Sequence, residues 1–203
     1  MRGAILAIVL CAIPAGSSFR ATDDEMRVVN VVVDAYVEEA RDFWDLVQRK
    51  NTETLRGKDA HPTLLAMSLT AIAPLPAMGV RHDYAFLPEE KAFNAMRTGG
   101  KSAVYAHYAK MRPGPVLEWL RRRRDLLIVR EPLVVDPEKF YARHPKARGL
   151  LHLSTPAVVG DEALVYAHLW MVYSEEGRVF YLRKERGRWR IAWQLTLYDV
   201  PGC

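Results

Sequence analysis

The chain has 203 residues, half of them apolar and 26% charged, with a formal net charge of +5 at pH 7. That length is one domain's worth of chain and buries enough surface to fold without a metal or a disulfide. The composition excludes collagen-like, disordered and multi-span membrane classes, and it names no function.

Arg2 precedes an apolar run from Ala4 to Pro14, and the small residues Ala15, Gly16, Ser17 and Ser18 follow. This order predicts a secretory signal peptide over residues 1–18, cleaved after Ser17 or Ser18. The charge holds the start in the cytosol, the apolar segment engages the translocon, and small side chains fit the peptidase. The run falls short of the about 20 apolar residues that a transmembrane helix needs. The expected destination is the periplasm or the exterior, with residues 22–203 as a single α+β domain. Cys11 leaves with the leader. Cys203 is then the lone thiol, which excludes an intrachain disulfide and a thiolate metal site.

Residues 23–44 read as a helix, capped by Thr22 or Asp23, with Val28, Val31, Val32, Ala35 and Tyr36 as its apolar stripe. Residues 43–55 alternate loosely, as a strand does. Pro62, Pro74, Pro76 and Pro88 punctuate the next stretch, predicting a short helix over 63–71 and then loop. A further helix starts after Pro88, runs to about Met96 and breaks at Gly99-Gly100. Residues 115–124 predict a helix with Pro115 in its first turn and Arg121 to Arg124 at its negative end. A strand over 126–135 follows, and Asp136-Pro137 opens a helical turn through Arg143.

The last third predicts four strands, at 150–159, 163–173, 179–185 and 189–198. Gly160-Asp161, residues 175–177 and Arg186-Gly187 are their turns. In the last strand Trp189, Ile191, Trp193, Leu195 and Leu197 share one face, and Arg190, Gln194 and Thr196 take the other. The fold class is therefore α+β, with N-terminal helices packed on a C-terminal antiparallel meander of four to five strands.

Several residues between Phe140 and Ile191 carry a resemblance: Phe140-Tyr141, Pro145, Gly149, Ser154, Ala163-Leu164-Val165-Tyr166, Leu182, Lys184, Gly187, Trp189 and Ile191. On these the span resembles a family of small exported bacterial proteins, many of them lipoproteins, without an assigned biochemical function. It departs from that pattern at residues 168–174, where the family is glycine-rich. The closing segment, Lys184 to Leu195, is also similar to the last hairpin of NTF2-like domains. That likeness implies a curved antiparallel sheet with helices closing a cone.

The strand over 163–173 is apolar on both faces, so both need cover. One face carries Leu164, Tyr166, His168, Trp170 and Val172, and the polar tips of Tyr166, His168 and Trp170 need partners when buried. His152, Tyr181 and Gln194 join them if the strands pair in sequence order. The set lines a ligand cavity or forms a second small core with satisfied tips. No catalytic constellation is evident. The six histidines never fall at HExxH spacing, GxSxG is absent, and Met96 occupies the first glycine position of a phosphate loop at Gly99-Gly100-Lys101-Ser102. No metal or cofactor is expected. Were the pocket catalytic, His168 would be its acid or base, with Asp199 or Glu162 orienting it. Arg121, Arg122, Arg123 and Arg124 form either a solvated face or a site for anionic lipid or polysaccharide. Nucleic acid is disfavoured, because no exposed aromatics interleave the basic residues. The expected role is a non-catalytic binding or interaction protein, meeting a protein partner. The alternative is a pocket for a small apolar molecule around Tyr166, His168 and Trp170.

Overall fold

In the computed structural model, which describes residues 22–50, 64–68, 87–111, 126–129, 136–145, 147–171 and 174–201, Thr22 caps the first helix. The Thr22 hydroxyl accepts the Glu25 N–H at 3.2 Å while the Glu25 carboxylate accepts the Thr22 N–H at 2.6 Å, a reciprocal box. This helix, α1 (Asp23–Lys50), runs past the end expected for it and takes in the first residues of the strand expected at 43–55. Neither Gly nor Pro occurs between Asp23 and Lys50, and the late segment is rich in residues that favour helix. The predicted leader, the predicted helix over 115–124 with Arg121 to Arg124, and Cys203 lie outside the described residues.

β1 (Leu64–Ser68) is a strand where a short helix was expected. It lies parallel to both β2 (Leu126–Val129) and β3 (Ala147–Leu153), and tertiary pairing overrides the weak local preference of five residues. Between β1 and β2, α2 (Pro88–Thr98) ends at Gly99, and α3 (Ala103–Tyr108) is capped by the Ser102 hydroxyl on the Tyr105 N–H. The α3 helix had no counterpart among the expected elements. Asp136 caps α4 (Pro137–Arg143), as its sequence position predicts.

The remainder is the antiparallel sheet: β4 (Ala157–Val159), β5 (Glu162–Met171), β6 (Ser174–Glu185) and β7 (Arg188–Pro201). The sheet order is β2-β1-β3-β5-β6-β7, with β4 pairing the start of β5. The strand expected over 150–159 is two strands, because Pro156 has no N–H for the ladder. At the break, Ser154 bridges to β5 through its side chain: its hydroxyl accepts the Tyr166 N–H at 2.9 Å, and its own N–H donates to the Tyr166 carbonyl at 2.8 Å. Residues 175–177 are not a turn. They extend β6 opposite Trp170, Leu169 and His168 of β5, and the pairing continues to Met171↔Ser174.

One face of the sheet carries α1, through Val28, Val29, Val32, Val33, Tyr36 and Val37 against Leu153, Val165, Ala167, Phe180, Leu182 and Trp189. Each fully buried Val, Leu or Phe among them contributes about 1.5–3 kcal/mol. The other face holds α2 and α3 against Leu164, Tyr166, Val179, Tyr181, Leu195 and Leu197. Phe140 of α4 packs with Leu150 and Trp170 farther along. The predicted single face of β7 is therefore corrected. The pairing steps from Tyr181↔Trp193 to Leu182↔Ile191, so Ala192 is a bulge. A bulge resets the alternation. Trp189 and Ile191 face α1, while Trp193, Leu195 and Leu197 face α2 and α3.

Two polar clamps hold α1 to the sheet. Near its start, Asp24 accepts from Lys184 Nζ at 2.9 Å and from the Trp189 indole N–H at 3.0 Å. The bonds from Lys184 and then Trp189 hold the Asp24 carboxyl below its usual range. Fifteen residues on, about 22 Å along the axis, Glu39 accepts from both terminal nitrogens of Arg178, at 2.6 and 2.8 Å.

Candidate functional site

A single cross-sheet row runs His152 (β3), His168 (β5), Gly177 (β6) and Tyr198 (β7), each opposite the next. Gly177 presents no side chain, and the Tyr198 ring lies across it; a Cβ there would meet the Tyr198 ring. From that position the Tyr198 hydroxyl shares a 3.0 Å hydrogen bond with the Tyr166 hydroxyl, and its ring centroid is 6.3 Å from that of His168. The His152 and His168 rings are 6.2 Å apart. A second bulge, at Leu197, puts Tyr198 on this face: the pairing steps from Gly177↔Tyr198 to Arg178↔Thr196.

The electrostatics follow from burial. Desolvation raises the Tyr166 phenol well above its ordinary value, and the bond to Tyr198 adds to the rise. Tyr108 of α3 is raised by burial in the same way, and its hydroxyl has no hydrogen-bond partner among the described residues. Burial lowers the His168 imidazole, against the pull of Glu175, whose Oε2 lies 3.8 Å from Nε2. The Nδ1 of His168 is buried and likewise lacks a partner among the described residues. No hydroxyl or thiol donates to His168 among the described residues, so the geometry of an activated nucleophile is missing there.

The sequence-predicted residues separate into four places. Tyr166, His168 and His152 meet in the row. Trp170 sits farther along the same face, edge-on to Phe140 at 5.6 Å and beside Tyr141 at 5.7 Å, in the α4 core. The Phe140-Tyr141 pair of the family resemblance thus has a packing role here. Tyr181 lies toward the other end, stacked on Trp193 at 5.0 Å, with its hydroxyl donating to Glu162; burial and that bond push the phenol up to about 12. Gln194 is exposed opposite Phe180, whose side chain belongs to the α1 core, so it faces away from the row. The Ala192 bulge moves it there. Tyr198, Gly177 and Tyr108 went unrecognised in the sequence. The first two needed the Leu197 bulge and the strand register to be known, and Tyr108 needed the unpredicted α3.

A separate open cavity of about 520 Å³ lies at the start of α1, between Thr22, Asp24, Arg27, Val158, Gly160 and Lys184. Its polar walls are engaged with one another, Thr22 with Glu25 and Asp24 with Lys184. Among the described residues no three His, Cys, Asp or Glu converge as a metal site, and no helix is long and apolar enough to cross a membrane.

His168 gives a pH signature. Its imidazole protonates less readily in the folded chain than in the unfolded one, where the ordinary value is 6.5. The unfolded state therefore binds more protons below that pH, so the His168 contribution to stability is complete above 6.5 and falls as the pH drops toward the lowered folded value. Urea midpoints measured from pH 7.5 down to 5 are expected to fall less steeply for His168→Gln than for the parent, an order-of-magnitude window set by that reference value. Parallel slopes would mean that His168 titrates alike in both states.

Comparison with known protein families, with curated proteins and with solved structures finds no match to this chain.

Proposed function

We propose that the chain is an exported protein, periplasmic or secreted, that binds a small molecule without transforming it. The observation that carries this reading is a pair of buried polar atoms without partners among the described residues, Tyr108 Oη and His168 Nδ1, on the face where Tyr166 and Tyr198 share their hydrogen bond. A buried donor or acceptor left unsatisfied costs about 1–3 kcal/mol, and native proteins rarely leave one so. A ligand with complementary polar groups and an apolar body recovers that cost, and the neighbouring rings of Tyr166, His168 and Tyr198 suit the body. That no hydroxyl or thiol of the described residues donates to His168 favours binding over chemistry. Export is supported by the order of residues 1–18. The cone of NTF2-like domains belongs to the same proposal: helices against an antiparallel sheet support it, and the parallel strands β1 and β2 depart from it.

Native mass spectrometry of the mature protein from its own envelope fraction tests the reading. A retained mass of a few hundred daltons, lost in Tyr198→Phe and in His168→Gln while both variants stay folded, is the expected result. A retained protein in its place would establish an interaction module instead. A bare monomer that also shows no thermal shift with a panel of small aromatic and polar metabolites would overturn the proposal.

A further inference from the structure

The tip of the β6–β7 hairpin reads Arg183-Lys184-Glu185-Arg186-Gly187-Arg188-Trp189-Arg190. Lys184 and Trp189 turn toward α1 and are held by Asp24. The four arginines, Arg183, Arg186, Arg188 and Arg190, are exposed. None of them forms an ion pair or a hydrogen bond with a described residue. Alternation along the strands sends Arg183, Arg188 and Arg190 to the face that also carries Tyr181 and Trp193, and Arg186 caps the end.

One feature of this tip works against stability, and it is the turn. On the strands the charges are mixed: Arg183 lies between Glu162 of β5 and Arg190 of β7, and Arg188 is opposite Glu185, so the one like pair is offset by opposite ones. Arg186 has φ of 50°, followed by Gly187 at 77°. That two-residue turn favours Asn or Asp followed by Gly, and an arginine enters the left-handed region only with strain. Backbone strain set by the placement of an arginine, with three more exposed arginines beside it, points to a use for the charge.

We propose that this hairpin tip docks the protein on an anionic phospholipid surface. Four unpaired guanidiniums at one end of a rigid ribbon match a plane of phosphates, which each of them can bridge with paired N–H donors. Protein partners are held mainly by apolar and aromatic anchors, and among the described residues the exposed large hydrophobic is Leu87, on another element. Single-stranded nucleic acid needs free rings for base stacking. Tyr181 and Trp193 are stacked on each other, and Phe93 lies edge-on to Trp193 at 6.3 Å, so the tip offers none. The proposal is independent of the ligand assigned to the tyrosine row, and the assay below does not touch that row.

The test is sedimentation of the mature protein with phosphatidylcholine vesicles and with vesicles holding about 30% phosphatidylglycerol, in low salt and high salt. Binding confined to the anionic vesicles and lost in high salt is expected, falling about fivefold for each of Arg183, Arg188 and Arg190 replaced by Gln. Arg186→Asn provides the second reading: relief of the turn should raise the thermal midpoint while vesicle binding drops. Three results would overturn the proposal. They are equal binding to neutral vesicles, undiminished binding by the combined arginine variant, or competition at these residues by duplex DNA at concentrations where the vesicles bind.

Discussion

Gly177→Ala is expected to destabilise the chain by about 2 kcal/mol, although alanine is normally the better strand residue by roughly 0.5–1 kcal/mol. The reason is the ring of Tyr198, which occupies the space where the new Cβ would stand. The ring can leave only by swinging toward solvent or against the α3 helix. Either movement breaks the 3.0 Å bond to Tyr166 and uncovers the backbone of β6. Losing this part-buried hydrogen bond costs about 1 kcal/mol, and the displaced packing supplies the rest. A double variant separates this from any intrinsic effect of the methyl group. In a Tyr198→Ala background, Gly177→Ala meets no ring and should be neutral or stabilising, giving a coupling energy of about 2 kcal/mol in urea denaturation. Additive effects would mean that the ring does not rest over Gly177, and the polar row would lose its central contact.

The parts of this architecture that were legible in the sequence are those decided locally. Asp136-Pro137 marks the start of α4, Gly160-Asp161 and Arg186-Gly187 mark two tight turns, and the doubly apolar β5 implies cover on both faces. Each of these depends on residues within a few positions of one another. β1 was not legible, since Leu64 to Ser68 has five residues and no alternation, and only its parallel partners on both sides make it a strand. The bulges at Ala192 and Leu197 were equally hidden. They carry no glycine or proline signal, yet they decide which face Gln194 and Tyr198 occupy. The candidate site was half read for that reason. Tyr166, His168 and His152 lie on regular strands, and their meeting follows from pairing in sequence order, whereas Tyr198 reaches them only through an irregularity. The hairpin arginines were overlooked for another cause. They are spread over eight positions among other residues, and only the ribbon geometry gathers them, while the contiguous run Arg121 to Arg124 draws the eye in the sequence.

The largest single loss is expected for Arg178→Ala. The Arg178 side chain is 12% exposed, lies 5.4 Å over the ring of Tyr36, and donates to two carboxylates, Glu39 on α1 and Glu176 on its own strand. Removing it leaves Glu176, whose side chain is also 12% exposed, as an uncompensated charge at the helix–sheet junction. Breaking such a buried pair from one side costs about 3–5 kcal/mol. The lower end applies here, because Glu39 is more than half exposed and regains water. The charge, rather than the contact area, is the predicted cause, and a compensated variant isolates it. Arg178→Met combined with Glu176→Leu removes both buried charges while keeping apolar volume against Tyr36. Replacement of a buried ion pair by apolar residues is often neutral or better. The pair of substitutions should therefore recover most of the stability that Arg178→Ala loses. A loss below about 1 kcal/mol for Arg178→Ala would place the clamp among surface ion pairs. The valine face of α1 would then hold the helix on the sheet without it.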